Sequence, residues 1–193
     1  IPGSSLKGKL RAMLDIADGT IKEVNMGQVK NGTTQNDRDV SVKLFGNAPN
    51  SKEEREQGIK QRPARVIVRD GRLLSDEIEF KNTDLPFTES KTEVVIDRIT
   101  AKAMPRQLER VPAGAAFELN MVLNVFEEDT EQDQIKNLER AMKLLQDDYL
   151  GGSGSRGYGQ IEFKVESVKE RNLEYYKNNT EETELTQYFN DFR

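Results

Sequence analysis

The chain of 193 residues has no cysteine, no histidine and no tryptophan. Without cysteine there is no disulfide, thiolate nucleophile or zinc–thiolate site; without histidine the usual general base and the commonest metal ligand are gone. Any chemistry must run through carboxylates, lysine, Ser/Thr hydroxyls or tyrosine. Long apolar runs are lacking too: none approaches a membrane span, and no signal-peptide pattern follows Ile1. The expectation is a soluble, cytoplasmic protein. Apolar residues make up only 35% against 33% charged, a balance that favours exposed loops and broad interaction surfaces over a compact enzyme.

The net charge of −5 argues at first against a nucleic-acid partner, but the acids are segregated. From Glu127 to Asp148 there are eight acids against three bases, and from Glu170 to Arg193 six against three, so these two stretches carry −8 and leave +3 on the rest. That remainder can present a basic face.

Glycine is concentrated where it matters most, with five in the nine residues Gly151-Gly152-Ser153-Gly154-Ser155-Arg156-Gly157-Tyr158-Gly159. Missing Cβ atoms let backbone amides approach a bound group closely, which suits phosphate. A helix is predicted before the loop, from about Asp133 to Leu150, with Ile135, Leu138, Met142, Leu145 and Tyr149 on its apolar face. A strand is predicted after it, with Ile161, Phe163 and Val165 alternating with polar residues. Strong periodicity on both sides counts against a flexible linker. Gly152, Gly154 and Gly157 match G-x-G-x-x-G, but a dinucleotide fingerprint needs strand, glycines, then helix, the reverse of the order here. No Lys-Ser/Thr follows, so a nucleotide P-loop is excluded. The stretch reads as a backbone cradle for a nucleic-acid strand, with Arg156 for phosphate and Tyr158 for stacking.

At the start, Leu6, Leu10, Met13 and Leu14 predict an amphipathic helix capped by Ser4 or Ser5, with Lys7, Lys9 and Arg11 near its positive end. A solvated helix is the plain alternative to an RNA-binding one. Because the chain opens on Ile1 rather than Met, a preceding portion is expected. Residues 18–62 read as a loop-rich insertion, with a short helix capped by Asp37, burying Val40, Leu44 and Phe45 and stopping at Gly46. Arg65 to Arg69 predicts a strand whose two arginines share a face that could follow a sugar-phosphate backbone. The clearest strand runs from Phe117 to Val125. Before it, residues 92–115 carry Arg98, Lys102, Arg106 and Arg110 with few core residues, as a projecting arm or an ordinary charged hairpin would. Residues 170–193 place Leu185, Tyr188, Phe189 and Phe192 at the spacing of a docking tail helix.

Four segments, IPGSSLKGKLR from Ile1, LFGN from Leu44, IDRITAKAMPRQLER from Ile96 and DYLGGSGSRGYG from Asp148, resemble the backbone subunits of type III-A CRISPR Csm complexes, a branch of the RAMP superfamily, over nearly the whole chain. The resemblance implies a single domain over 1–193, an α+β ferredoxin-like core of RNA-recognition type with palm, thumb and lid insertions, its first strand missing from this chain. It implies copies stacked along a CRISPR RNA that pairs with target RNA, beside other Csm subunits including the large polymerase-like one. Guide-binding residues would then be Ser4, Ser5, Lys7, Lys9 and Arg11 together with Gly151, Gly152, Ser153, Gly154, Ser155, Arg156, Gly157 and Tyr158. The thumb would use Ile96, Arg98, Thr100, Met104 and Arg106. Target cleavage with Mg²⁺ or Mn²⁺ is implied, by an aspartate in a loop preceding Ile1, so the chain from Ile1 is expected not to cut and no metal site is expected within it. Asp97 and Glu109 read as ion-pairing or thumb residues. The rival readings are a guide-processing endoribonuclease of the same superfamily and a structural RNA-binding subunit without catalysis.

Overall fold

The computed structural model describes residues 1–21, 34–48, 56, 58–74 and 87–192. They fall into two compact units, the first made of Ile1 with Asp70–Asn120 and the second of Pro2–Arg69 with Met121–Arg193. Much of the insertion expected over 18–62 lies outside the described residues.

The second unit is built on two helices. Helix α1, Gly3–Ala17, buries Leu6, Leu10, Met13 and Leu14, the residues that its period singled out. Its cap is Pro2 rather than Ser4 or Ser5, which lie inside the first turn, and the Pro2 carbonyl accepts from the amides of Ser5 at 3.1 Å and Leu6 at 3.2 Å. Proline suits this place because its missing N–H would have had no helical partner. Gly3 lets the helix start lie against a strand end, since a Cβ there would stand 2.3 Å from the Val68 carbonyl oxygen.

After α1 comes α2, Val40–Phe45, whose N-cap position is Asp39 rather than Asp37 and which stops at Gly46, where φ is 79°. Strand β1, Val66–Val68, follows. Later in the chain α3, Glu131–Gln146, buries Ile135, Leu138, Ala141, Met142 and Leu145 and packs against α1 and α2. Four residues are missing from its expected C-terminal end, so Tyr149 lies beyond the helix.

The strand expected around Phe163 is not in a ladder. Burial still alternates, with Phe163 buried between exposed Glu162 and Lys164. Its amides are satisfied by other groups: Phe163 donates to the Gln146 side-chain oxygen at 2.6 Å and Val165 to the Phe192 carbonyl at 2.9 Å. The expected tail helix is also replaced, by the helix α4, Leu173–Asn178, and a 3₁₀ segment, Thr186–Phe192. Asn179 at φ 56° ends α4 in the left-handed conformation that asparagine tolerates. Phe189 and Phe192 are buried, the latter edge-on to Phe163 with ring centroids 6.4 Å apart, whereas Tyr188 stays exposed.

In the first unit, β2, Arg72–Leu73, pairs antiparallel with β5, Phe117–Glu118. Between them in sequence, β3, Glu89–Ile96, pairs with β4, Ala103–Arg110, in an unbroken register from Glu89 opposite Arg110 to Ile96 opposite Ala103. The expected arm is therefore a hairpin over 89–110 rather than 92–115. The long strand expected over 117–125 is two: β5, and in the second unit β6, Met121–Leu123, which pairs with β1.

Two more short strands in the second unit, β7 at Lys169–Glu170 and β8 at Thr183–Glu184, pair antiparallel and bracket α4.

Candidate nucleic-acid interface

The first turns of α1 present Ser4, Ser5 and Gly8 to solvent, with Lys7, Lys9 and Arg11 half-buried. The three cations differ in what they touch. Lys7 has no hydrogen bond or ion pair among the described residues, and partial burial, assisted by the nearby Arg11 charge, holds its ammonium below the usual lysine pKa. Lys9 donates to Asp148 Oδ2 at 2.6 Å and stands 4.0 Å from the centre of the Tyr149 ring. Arg11 turns inward, donating to the Thr34 carbonyl at 2.6 Å, with its Nε 3.9 Å from Asp15. Asp15 is fully buried and accepts from Ser41 and Thr20. Burial lowers the Arg11 pKa against the opposing pull of Asp15. Of the three cations expected as phosphate ligands on α1, Lys7 is the one without a polar partner among the described residues.

The glycine stretch is a closed loop, not a linker. Leu150 donates to the Gly159 carbonyl at 2.8 Å and so ties the two ends together. Within it, Gly154–Arg156 forms one 3₁₀ turn, closed by Gly157 donating to Gly154 at 2.8 Å. Gly151 and Gly157, at φ 94° and 79°, occupy backbone conformations that other residues adopt only under strain. Gly151, Gly152, Ser153, Ser155, Arg156 and Gly157 are exposed, and Tyr158 and Gly154 half-buried. Beside the loop is an open cleft of about 470 Å³, lined by Gln146, Asp147, Asp148, Tyr149, Tyr158 and Gln160 among others. The Lys9–Asp148 pair joins this loop to α1 across 139 residues of sequence. Asp148 and Tyr149 went unnoticed as site residues because Tyr149 fits the apolar period of α3; the signal was an acid and an aromatic immediately before the glycines.

On the hairpin, Ile96, Arg98, Thr100, Met104 and Arg106 are all exposed, as is Ile99, 96% accessible at the tip. Asp97 is a turn-former: its Oδ1 accepts from the amides of Thr100 at 2.8 Å and Ile99 at 2.9 Å, and those two bonds depress its pKa. Arg106 pairs with Glu93 at 2.9 Å, and Arg110 with Glu89.

Arg65 does not share an exposed sheet face with Arg69. It is 1% accessible, bonded to Asp129 at 2.8 Å and Glu128 at 2.6 Å, and lies over the Phe126 ring. A planar guanidinium suits such a two-carboxylate, one-ring site, which lysine would not fill. Among the described residues no group of three carboxylates is placed to hold a metal ion, and no helix is long and apolar enough to cross a membrane.

A family model described as the RAMP superfamily matches residues 1–162. The chain belongs to the RAMP superfamily. A Methanocaldococcus jannaschii protein named CRISPR system Cms endoribonuclease Csm3 is 42% identical over 183 residues, covering 93% of this RAMP chain and 68% of that protein. A protein of the same name from Enterococcus italicus is 36% identical over 87% of the chain and 72% of its own length. The crystal structure of Methanopyrus kandleri Csm3 superposes with a TM-score of 0.58 at 20% identity over 93% of the chain and 67% of its own, a likeness in fold. These relatives place this RAMP chain with the Csm backbone subunits, as its motifs implied.

Proposed function

We propose that this RAMP protein is a CRISPR RNA-binding backbone subunit, several copies of which stack along one guide. The observation that carries the reading is the junction of α1 with the glycine loop through Lys9 and Asp148, which brings Lys7 on α1, without a polar partner among the described residues, and a closed loop of exposed glycine residues together in one unit. Helix starts and glycine loops of this kind hold phosphates by backbone N–H groups and positive charge. Ser4, Ser5 and Arg156 would add phosphate contacts, and Tyr158 a stacking face. The exposed aliphatic tip of the hairpin, with Ile96 and Ile99 beside Met104, Arg98 and Thr100, is suited to wedge between base pairs of the guide–target duplex. Target RNA, further copies and the other Csm subunits, including the large polymerase-like one, are the proposed partners.

The relatives' name also brings endoribonuclease activity to the proposal, as cleavage of paired target RNA with Mg²⁺ or Mn²⁺. The described carboxylates do not fit that metal: Asp97 is taken up by its turn, and no trio converges elsewhere among the described residues. No cleavage step is therefore assigned to them.

The test is RNA affinity against salt and pH. Lys7→Ala is expected to weaken binding to all RNA sequences alike and flatten the logarithmic salt dependence by about 0.7, the value of one single-strand phosphate contact. Lys7 binds phosphate only while protonated, and its pKa is lowered, so affinity should fall as pH rises through that lowered value, earlier than an ordinary lysine would allow. An unchanged salt slope in Lys7→Ala counts against this interface, and target cleavage that persists in excess chelator counts against the metal.

A further inference from the structure

The glycine at 154 is not explained by its own backbone. Its φ lies outside the left-handed region that favours glycine, unlike those of Gly151, Gly157 and Gly159. What excludes a side chain is one ring: a Cβ on residue 154 would stand 2.0, 2.1 and 2.3 Å from Cδ1, Cγ and Cε1 of Tyr149. The same ring has the Lys9 ammonium 4.0 Å from its centre, and that ammonium is fixed by Asp148 at 2.6 Å. Immediately after Tyr149, the Leu150 amide closes the loop onto Gly159. So the ring sits at the base of the loop, in contact with its 3₁₀ turn and with α1.

We propose that Tyr149 is a positioning residue for RNA binding: held by Lys9, its ring seats the turn Gly154–Arg156, so that Lys9 acts on RNA through the shape of the loop and not as a phosphate ligand. This rests on the reading of the loop and α1 as the RNA surface. Lys9 fits the role because its charge is already matched by Asp148, and a neutralised cation displaces no counterions from an RNA backbone. Glycine at 154 fits it because only a bare Cα can lie on the ring at this distance.

The experiment measures affinity for an end-labelled single-stranded RNA across a salt series, using the protein and a set of variants. Lys9→Met is expected to weaken binding about tenfold, the size of a lost cation–π contact with its packing, while leaving the salt slope unchanged. Tyr149→Ala should weaken binding to a similar degree and Tyr149→Phe, which keeps the ring, should restore it. Gly154→Ala should weaken binding at least tenfold in the normal background, yet add nothing to Tyr149→Ala, because the ring it collides with is gone. A slope flattened by about 0.7 in Lys9→Met would make Lys9 a phosphate ligand after all and overturn the proposal. An equal loss from Gly154→Ala with and without the ring would overturn it as well, since the glycine would then serve the RNA directly. Either result with Lys7→Ala still flattening the slope sinks the positioning role alone; no binding by the unsubstituted protein sinks the RNA surface with it.

Discussion

The loop Gly151–Gly159 and the hairpin Glu89–Arg110 are both exposed, and they keep their shapes by different means. The hairpin is held by its own residues: eight cross-strand pairs in one register, two ion pairs, and an aspartate that accepts two amides inside the turn. The loop draws on groups outside itself. It depends on a tie between its ends, on a ring at its base and, through that ring, on a lysine from the far end of the chain. Changes elsewhere in the second unit should therefore reach the loop, while the hairpin should answer first to its own sequence.

The largest effect expected to separate the two is at Arg65. Removing the guanidinium leaves Asp129, 8% accessible, without its cationic partner, and breaking a buried pair of this kind costs about 3–5 kcal/mol. Arg65→Ala should lower the denaturant midpoint of the second unit by that amount and speed amide exchange at Leu150 and Gly157. The pH dependence follows. Burial alone would raise the Asp129 carboxyl, but hydrogen bonds from Arg65 and the Phe126 amide hold it below its ordinary value. A depressed carboxylate contributes stability above its unfolded-state pKa and loses it as pH falls through the folded-state value. Asp129→Asn should be less stable at neutral pH and flatter on acidification; a variant that loses stability with acid as steeply as the parent would remove Asp129 from the account.

A middle-sized effect lies among the loop glycines. Gly154→Ala forces a methyl into the Tyr149 ring, an overpacking worth about 1–3 kcal/mol. Gly157→Ala has open space but a φ of 79°, and should cost about 1–2 kcal/mol. Gly152→Ala meets nothing within 4 Å and needs no unusual φ, so thermal unfolding should shift by less than about 0.5 kcal/mol. The order matters more than the sizes: a Gly152 variant as unstable as the Gly154 one would mean that the loop is not built as described.

The smallest effect belongs to the hairpin. Arg106→Ala breaks one cross-strand pair in which the arginine side chain is 43% exposed, and should cost no more than about 0.5 kcal/mol. Nuclear magnetic resonance chemical shifts of the glycine loop should not move. Loop shifts that follow Arg106→Ala would end the distinction between a self-contained hairpin and a dependent loop.

Much of this was legible in the sequence. The apolar spacing of Leu6, Leu10, Met13 and Leu14, and of Ile135, Leu138, Met142 and Leu145, marked α1 and α3, because a 3.6-residue period leaves few other ways to bury those side chains. The hairpin followed from a charged, core-poor stretch, and the loop from composition alone, with Gly151 and Gly157 at positive φ. The errors lay where a local pattern needed a distant partner. Ile161, Phe163 and Val165 alternate as a strand does, but a ladder requires a neighbouring strand, and their amides found Gln146 and Phe192 instead. Leu185, Tyr188, Phe189 and Phe192 have helical spacing, but only the two phenylalanines are buried and the turn is 3₁₀.

The sequence by itself determined the elements that local forces decide: two amphipathic helices, a charged hairpin and a loop whose glycines free the backbone. Tertiary structure alone decided what each cation does. Lys7, Lys9, Arg11 and Arg65 are equal in a composition count, yet one has no polar partner among the described residues, one grips a tyrosine and an aspartate 139 residues away, one turns inward to Thr34 and one is buried against two acids. The reason is physical: a charge is placed by whichever opposite charge, ring or carbonyl the fold brings within a few ångströms, and separation along the chain carries no information about that distance.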